Sequence, residues 1–322
     1  MKSVTSSFAF LFPGQGSQAV GMGKELAANY TVARRTFEEA DEALDYKLSQ
    51  LCFEGPEEKL KLTEITQPAI LTASVAAWRV LQEKGLRRDS SADYVAGHSL
   101  GEYSAHVAAG TLTFADAVRT VRNRGKYMQE AVPVGVGAMA AILGMMLDQV
   151  SEIANEVAQG EVCQAANINS PEQIVISGHA GAVDRAIKLA IERGAKKAVR
   201  LPVSAPFHCS LMRPAQDRLA ADLDVLSFQN PSCPVVCNVD AAVVNSAEAS
   251  RDALIRQVTG AVRWEPSVRL LIDKGASLFI EVGPGKVLWG LMRQIDRSKT
   301  CVTVGDEASL QKTLAQIAAT VA

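Results

Sequence analysis

The chain has little net charge and few aromatic residues: a formal charge of −2 at pH 7 over 322 residues, with Phe, Trp and Tyr at 5% of positions. Near neutrality removes the electrostatic footprint that nucleic acid or an anionic membrane surface would require. Local basic pairs, Arg87-Arg88 and Lys196-Lys197, read as solvated surface. Long apolar runs are missing too. The N-terminal MKSVTSSFAFLFPGQGSQ holds only a short one before Pro13 and Gly14, too short for a signal-peptide core or a bilayer span. Six cysteines lie scattered at positions 52, 163, 209, 233, 237 and 301. Cys233 and Cys237 are four apart, but no second pair or nearby histidine completes a zinc site. Reduced thiols in a cytoplasmic protein, without a metal, are therefore expected. No internal repeat or low-complexity segment is visible.

Apolar residues make up 48% and charged residues 21%, a globular balance, and the length suffices for one large domain or two unequal ones. Phe8 to Phe12 is a compact apolar run ended by PGQGSQ, predicting a buried strand that enters a Gly-rich loop. Residues 23–47 and 67–84 carry apolar residues at helical spacing, with Gly85 as a stop. Tyr94 to Ala96 predicts a second buried strand, followed by a turn at Ser99 and a helix. Strand, Gly-containing turn and helix, without hairpin signals, imply a parallel sheet covered on both faces.

The middle of the chain has another rhythm. GAMAAILG (137–144) predicts a strand, residues 147–160 a helix, and 163–170 and 172–178 two strands joined at Ser170-Pro171. Residues 180–194 then predict a helix and 196–203 a last strand, giving the β-α-β-β-α-β order of a ferredoxin-like unit. Buried strands resume at CPVVCNV (233–239) and SLFIEVGPG (277–285). The expected fold is α/β: a large α/β-hydrolase-like domain with a mostly parallel sheet, residues 1–133 and 204–322, and an inserted ferredoxin-like α+β subdomain at 134–203.

Gly97-His98-Ser99-Leu100-Gly101 is a G-x-S-x-G pentapeptide placed between a strand and a helix. The glycines suit a tight turn that projects Ser99 as a nucleophile, and the amide of Leu100 would then face a developing oxyanion. A serine capping a buried helix would carry the same five letters, so the partners must decide. A serine nucleophile needs a base, and the chain has four histidines. His98 adjoins Ser99 and should diverge from it on a sharp turn; His106, two helical turns on, reads as a packing or surface residue, and His179 as a turn residue. His208 follows a predicted strand, in a loop bearing Pro206, where α/β folds place working residues. FPGQGSQAVGMG (12–23) lacks the Lys-Ser/Thr of a P-loop and the G-x-G-x-x-G spacing; its amides and Gln15 better suit an oxyanion than a nucleotide. Arg124, in RNRGKYMQ (122–129), would be surface or ion-paired, or would clamp a carboxylate bidentately.

FLFPGQGSQAVGMG, GHSLGEYSA, RGKYMQEAV, PFHCSLM and EVGPGKVLWGLM occur in this order and together resemble the malonyl-CoA:acyl carrier protein transacylases of fatty acid synthesis. The resemblance runs from Phe8 to about Ile295, including the inserted unit. It implies that Ser99 carries the acyl group as an ester, that His208 is its general base, and that Arg124 pairs with the malonyl carboxylate. The amides of Gln15 and Leu100 would form the oxyanion hole, and the main-chain carbonyl of Gln257 would orient His208 in place of an aspartate. Phe207 resembles the malonyl-type version of its motif. The implied partners are malonyl-CoA, as substrate, and acyl carrier protein; no cofactor is called for, and a monomer is expected. Lys286 and the Lys196-Lys197 pair are the basic residues proposed to meet an acidic carrier. Two rivals share the pentapeptide: a free-standing acyltransferase of polyketide synthesis and a serine thioesterase or hydrolase. A catalytically silent carrier-binding module is a third, disfavoured by the presence of Ser99, His208 and Arg124 together.

Overall fold

A computed structural model describes residues 7–86, 93–203 and 205–321; the Arg87-Arg88 pair lies outside them. The strands among the described residues are, in chain order, β1 (Ser7–Phe12), β2 (Tyr94–Gly97), β3 (Gly137–Leu143), β4 (Cys163–Ser170), β5 (Gln173–His179), β6 (Lys197–Arg200), β7 (Val235–Cys237), β8 (Ala242–Val244), β9 (Ala276–Val282) and β10 (Thr300–Val304). They form two sheets. The larger has the order β10-β9-β1-β2-β7-β8 and is parallel except for the β7–β8 pair. The smaller, β4-β5-β3-β6, is antiparallel throughout, the strand order of a ferredoxin-like unit.

The mostly parallel sheet and the small α+β unit agree with the sequence expectation, and three details differ. The helical run at 23–47 is two helices, Lys24–Asn29 and Thr31–Leu44, because Tyr30 between them is extended at φ −124°. Strand β8 is a three-residue antiparallel edge, too short to show a period. Strand β10 alternates Thr and Cys with Val at the opposite edge, without a compact apolar run.

Few aromatics do not mean a thin core. Helix Thr63–Glu83 is buried on nearly all sides, as expected of a helix apolar all round, with Ala69, Ala73, Ala76 and Ala77 among its buried residues. Small side chains let helices Thr31–Leu44 and Phe114–Glu130 lie close against it. At Gly125 the approach leaves no room for a side chain: an added Cβ would lie 2.7 Å from the carbonyl oxygen of Thr63. The small sheet has its own buried cluster. Ala138, Ala140 and Ile142 of β3 face the helices Leu147–Ala158 and Ala180–Glu192. The strand period of two turns Met139 the other way, into the main core.

Parallel pairing gathers strand ends. Phe12 of β1 is level with Gly97 of β2, so the loops that follow both leave from the carboxyl edge of the sheet. Asn238, just after β7, and the Gly283-Pro284-Gly285 turn after β9 leave from the same edge. The small sheet reaches this edge through main-chain bonds from Ile168 N to Val262 O (2.9 Å) and from Val262 N to Ala166 O (2.8 Å). No helix among the described residues is long and apolar enough to cross a membrane.

The strand-to-helix turn has no room for side chains at its flanks. A Cβ on Gly97 would lie 1.9 Å from Gly101 O, and one on Gly101 would lie 2.2 Å from Phe12 O. Backbone, not a yielding side chain, stands in the way. Gly101→Ala is therefore expected to destabilise the protein by about 3 kcal/mol, the upper range for overpacking, read as a lower urea midpoint at unchanged m-value. Gly290→Ala is the control: it also sits in a helix, but beyond its chain neighbours and the adjoining backbone of its own helix no atom lies within 4 Å of its added Cβ. That variant should be neutral or slightly stabilised. Equal midpoints for the two variants would remove the steric account.

Candidate active site

Between β2 and helix Gly101–Ala108 the chain reverses at Ser99, whose φ is +53°. A left-handed serine costs roughly 1–3 kcal/mol and persists only where its surroundings fix it. Asn238 clamps the turn on both sides: its Oδ1 accepts from Ser99 N at 2.7 Å, and its Nδ2 donates to Gly97 O at 2.7 Å. Gln257 Nε2 donates to Ser99 O at 3.0 Å. The Ser99 hydroxyl is thereby held at the carboxyl edge of the sheet.

His208, buried and itself at φ +58°, brings Nε2 to 2.7 Å from Ser99 Oγ. Its Nδ1 lies 3.0 Å from Gln257 O. A carbonyl can only accept, so Nδ1 carries the proton and Nε2 is left to accept from the serine hydroxyl. Burial, reinforced by the positive charge of Arg124, lowers the pKa of His208 to about 3 and keeps the ring neutral. A neutral imidazole on a strained serine, fixed from behind, is a constellation for activating a nucleophile.

Arg124 lies on helix Phe114–Glu130 and is 2% exposed. The close approach at Gly125 brings it to helix Thr63–Glu83, where Nη1 donates to Gln67 Oε1 at 2.7 Å. Nη2 donates to Gln257 Oε1 at 3.0 Å and to Ser99 Oγ at 3.1 Å, and the guanidinium stands over the Tyr103 ring at 5.8 Å. Each of these partners is neutral. Nε has no hydrogen-bond partner, and no carboxylate among the described residues lies within ion-pair distance of this buried cation. Burial lowers its pKa, as expected for a cation short of a counter-ion. An anion presented beside Ser99 would supply what it lacks.

Ser99, His208 and Arg124 line one cavity with Gln15, Leu100, Gln67, His98, Met128, Met139, Asn167, Leu201, Val203 and Phe207. Neither the Gln15 nor the Leu100 amide has a backbone carbonyl partner among the described residues. Both sheets contribute. Strand alternation supplies Met139, and a register shift between Ala165 and Asn167 of β4 marks where Asn167 enters the cavity wall. His98 turns away from Ser99, with Nε2 2.8 Å from Asn169 Oδ1 of the small sheet. His106 is wholly buried with neither ring nitrogen partnered, and burial lowers its pKa to about 3. His179 closes β5, and its Nδ1 accepts from Val162 N.

The family resemblance implies only the carbonyl contact for Gln257 and assigns no role to Gln67, Glu102, Asn238 or Asn169. The Gln257 side chain is wholly buried and reaches Arg124, Ser99 O and Glu102. Asn238 was detectable as the last polar residue of an apolar run at a strand's carboxyl end. The Gly283-Pro284-Gly285 turn also resolves. Buried Glu281 accepts from Leu288 N at 3.0 Å and Trp289 N at 2.8 Å, filling the amino end of helix Val287–Ile295 with the protein's own carboxylate.

Residues 9–319 match the acyl transferase domain family. The malonyl CoA-acyl carrier protein transacylase of Salmonella typhimurium is 50% identical over 97% of this chain and 100% of its own length. An acyl carrier protein S-malonyltransferase from Vibrio cholerae superposes with a TM-score of 0.93, at 49% identity over 96% of this chain and 100% of that one. A malonyl-transacylase solved in complex with its type II PKS acyl-carrier protein gives a TM-score of 0.93, at 48% identity over 97% of this chain and 100% of that one. Matches of this extent cover both sheets and every residue that lines the cavity. The chain belongs to the acyl transferase family and, within it, to the malonyl-CoA:acyl carrier protein transacylases.

Proposed function

We propose that this protein moves a malonyl group from malonyl-CoA to the phosphopantetheine thiol of acyl carrier protein through an ester on Ser99. The observation that carries the reading is the sharing of Ser99 Oγ between a neutral imidazole at 2.7 Å and a buried guanidinium at 3.1 Å that touches no carboxylate. His208 Nε2 takes the hydroxyl proton as Ser99 Oγ attacks the thioester carbonyl. The amides of Gln15 and Leu100 stabilise the tetrahedral oxyanion, whose collapse expels the CoA thiolate, protonated by the imidazolium. In the second half-reaction the carrier thiol gives its proton to His208 and attacks the ester; as the bond to Ser99 Oγ breaks, the imidazolium returns that proton to the serine oxygen. Arg124 holds the malonyl carboxylate by paired hydrogen bonds, and acetyl-CoA leaves that buried cation without its counter-ion. Phe207 in the cavity wall favours malonyl over branched acyl groups.

Several further features follow from this reading. The chemistry asks only for hydroxyl, imidazole and amide donors, so no cofactor is called for; a cytoplasmic monomer is proposed alongside it. Residues 1–133 and 204–322 form the catalytic domain and 134–203 the inserted unit, a division supported by the separate buried cluster of the small sheet. Exposed Lys286 at the edge and the exposed Lys196-Lys197 pair of the inserted unit are the basic residues proposed to meet the carrier, with Lys196 in a surface pair with Glu172 at 2.7 Å. The complex with a type II PKS carrier protein, among the structural relatives, supports a second reading in which the acceptor is a polyketide carrier. Comparing acceptor kinetics with fatty acid and polyketide carriers separates the two. A hydrolase reading gains nothing from His208, whose Nδ1 faces a carbonyl rather than an acid.

Intact mass after mixing with malonyl-CoA should show one malonyl adduct, lost again on addition of phosphopantetheinylated carrier protein. Ser99→Ala should fold normally and show no adduct; a stable adduct on that variant, mapped to another peptide, would sink the assignment. Arg124→Ala should lower malonyl transfer by ~10²-fold or more, the scale for losing one partner of a buried charge pair, and acetyl transfer far less. Competition between the two thioesters reads the ratio directly, and equal losses would make Arg124 structural. The pH profile is the third check. Because the pKa of His208 is lowered to about 3, the base stays unprotonated through the range where an ordinary imidazole gains its proton. The acid limb of kcat/KM for acylation should lie well below pH 6.5, and a limb at that value would mean a solvated histidine.

A further inference from the structure

We infer that Glu102 is a positioning residue for malonyl recognition: its Oε2 fixes which way the Gln257 carboxamide faces, and the carboxamide in turn aims Arg124. The inference rests on the reading of Arg124 given under Proposed function. Glu102 lies on helix Gly101–Ala108, one turn beyond Ser99, and is fully buried. Its Oε2 accepts from Asn238 N at 2.8 Å and from Gln257 Nε2 at 2.8 Å, while Oε1 has no partner. One buried oxygen therefore anchors the residue that clamps the Ser99 turn and the residue that contacts Arg124.

A carboxamide has a donor end and an acceptor end of nearly equal shape, so its neighbours decide its orientation. In this site Gln257 turns Oε1 to Arg124 Nη2 and Nε2 to Glu102 and Ser99 O. The reverse orientation would set an NH2 against the guanidinium and a carbonyl against the carboxylate, donor to donor and acceptor to acceptor. Ser99 O already accepts from Glu102 N at 3.0 Å, and Asn238 Oδ1, which accepts from Ser99 N, lies farther from Gln257 Nε2 at 3.3 Å; the Glu102 side chain at 2.8 Å is the shortest and strongest discriminator. Without it, Nε2 keeps only the shared Ser99 O and the longer contact to Asn238 Oδ1, the Gln257 carboxamide is held less firmly, and Arg124 Nη2 loses the fixed acceptor that aims it beside Ser99 Oγ. Burial raises the pKa of Glu102 to about 7, but Oε2 accepts in either protonation state, because the proton would reside on unpartnered Oε1.

Three variants test the chain of contacts: Glu102→Met, close in volume with no acceptor; Glu102→Gln, which keeps one; and Gln257→Met, which keeps the main-chain carbonyl for His208. Single-turnover acylation of Ser99 is measured with malonyl-CoA and with acetyl-CoA, alongside circular dichroism for folding. Glu102→Met should lose ~10²-fold with malonyl-CoA and much less with acetyl-CoA, so the ratio falls at least ~10-fold, the scale of a charge-assisted hydrogen bond. Glu102→Gln should return the ratio to within ~3-fold of the parent. Gln257→Met should match Glu102→Met, and the double variant should be no worse than either single one, since both cut the same chain. Equal losses for both substrates, or no recovery in Glu102→Gln, overturn the inference. Should Glu102→Met fail to fold, Gln257→Met decides: a collapsed ratio supports the inference and an unchanged ratio overturns it. A parent protein that forms no malonyl adduct tells against the proposed function instead.

Discussion

A left-handed serine squeezed between two glycines is the constraint on which the site depends. Ser99 can hold φ +53° only because Asn238 and Gln257 bond its amide, its carbonyl and the carbonyl of Gly97. The turn can close only because neither Gly97 nor Gly101 carries a Cβ. Those bonds come from segments far along the chain, just after β7 and at the end of helix Ala247–Gln257. Local strain is thus balanced by tertiary contacts, and the serine is exposed to the cavity before any substrate arrives.

Small residues do comparable work at longer range. A core low in aromatics and rich in alanine lets three helices approach closely, and at Gly125 no Cβ would fit. That approach is what brings Gln67 within 2.7 Å of Arg124. A bulkier helix surface would push the guanidinium away from Gln67, and with it from Ser99. Packing and electrostatics are therefore one design here: the glycine that permits the helix contact adjoins the arginine that uses it.

The fold was largely legible in the sequence because its signals are local. Apolar runs ended by Gly-rich turns mark β1, β2 and β9, and the β-α-β-β-α-β rhythm marks the small sheet. Strands β8 and β10 escaped because one has three residues and the other is a half-polar edge. Ser99, His208 and Arg124 stood out by residue type and loop or helix placement, and the family resemblance linked them. Glu102, Gln67 and the Gln257 side chain did not, since their roles exist only as contacts across the fold. The Glu102–Gln257 bond spans 155 residues, and the Arg124–Gln67 bond 57. A glutamate in the first turn of a helix reads as solvated surface until the fold removes its water.

The absence of an acid behind His208 follows from the same electrostatics. An aspartate at Nδ1 would fix the tautomer as well as a carbonyl does, but it would place an anion close to Arg124. There the anion would offset part of the guanidinium's charge and oppose an incoming carboxylate. Gln257 O, at 3.0 Å from Nδ1, orients the ring with no net charge, and the same residue's Oε1 meets Arg124 with no net charge. The one carboxylate in this network, Glu102, is kept a full carboxamide away from the cation, on the far side of Gln257. Neutral contacts can hold the arginine in place without satisfying its charge. On the proposed reading, that unsatisfied charge is what makes a malonyl group preferable to an acetyl group.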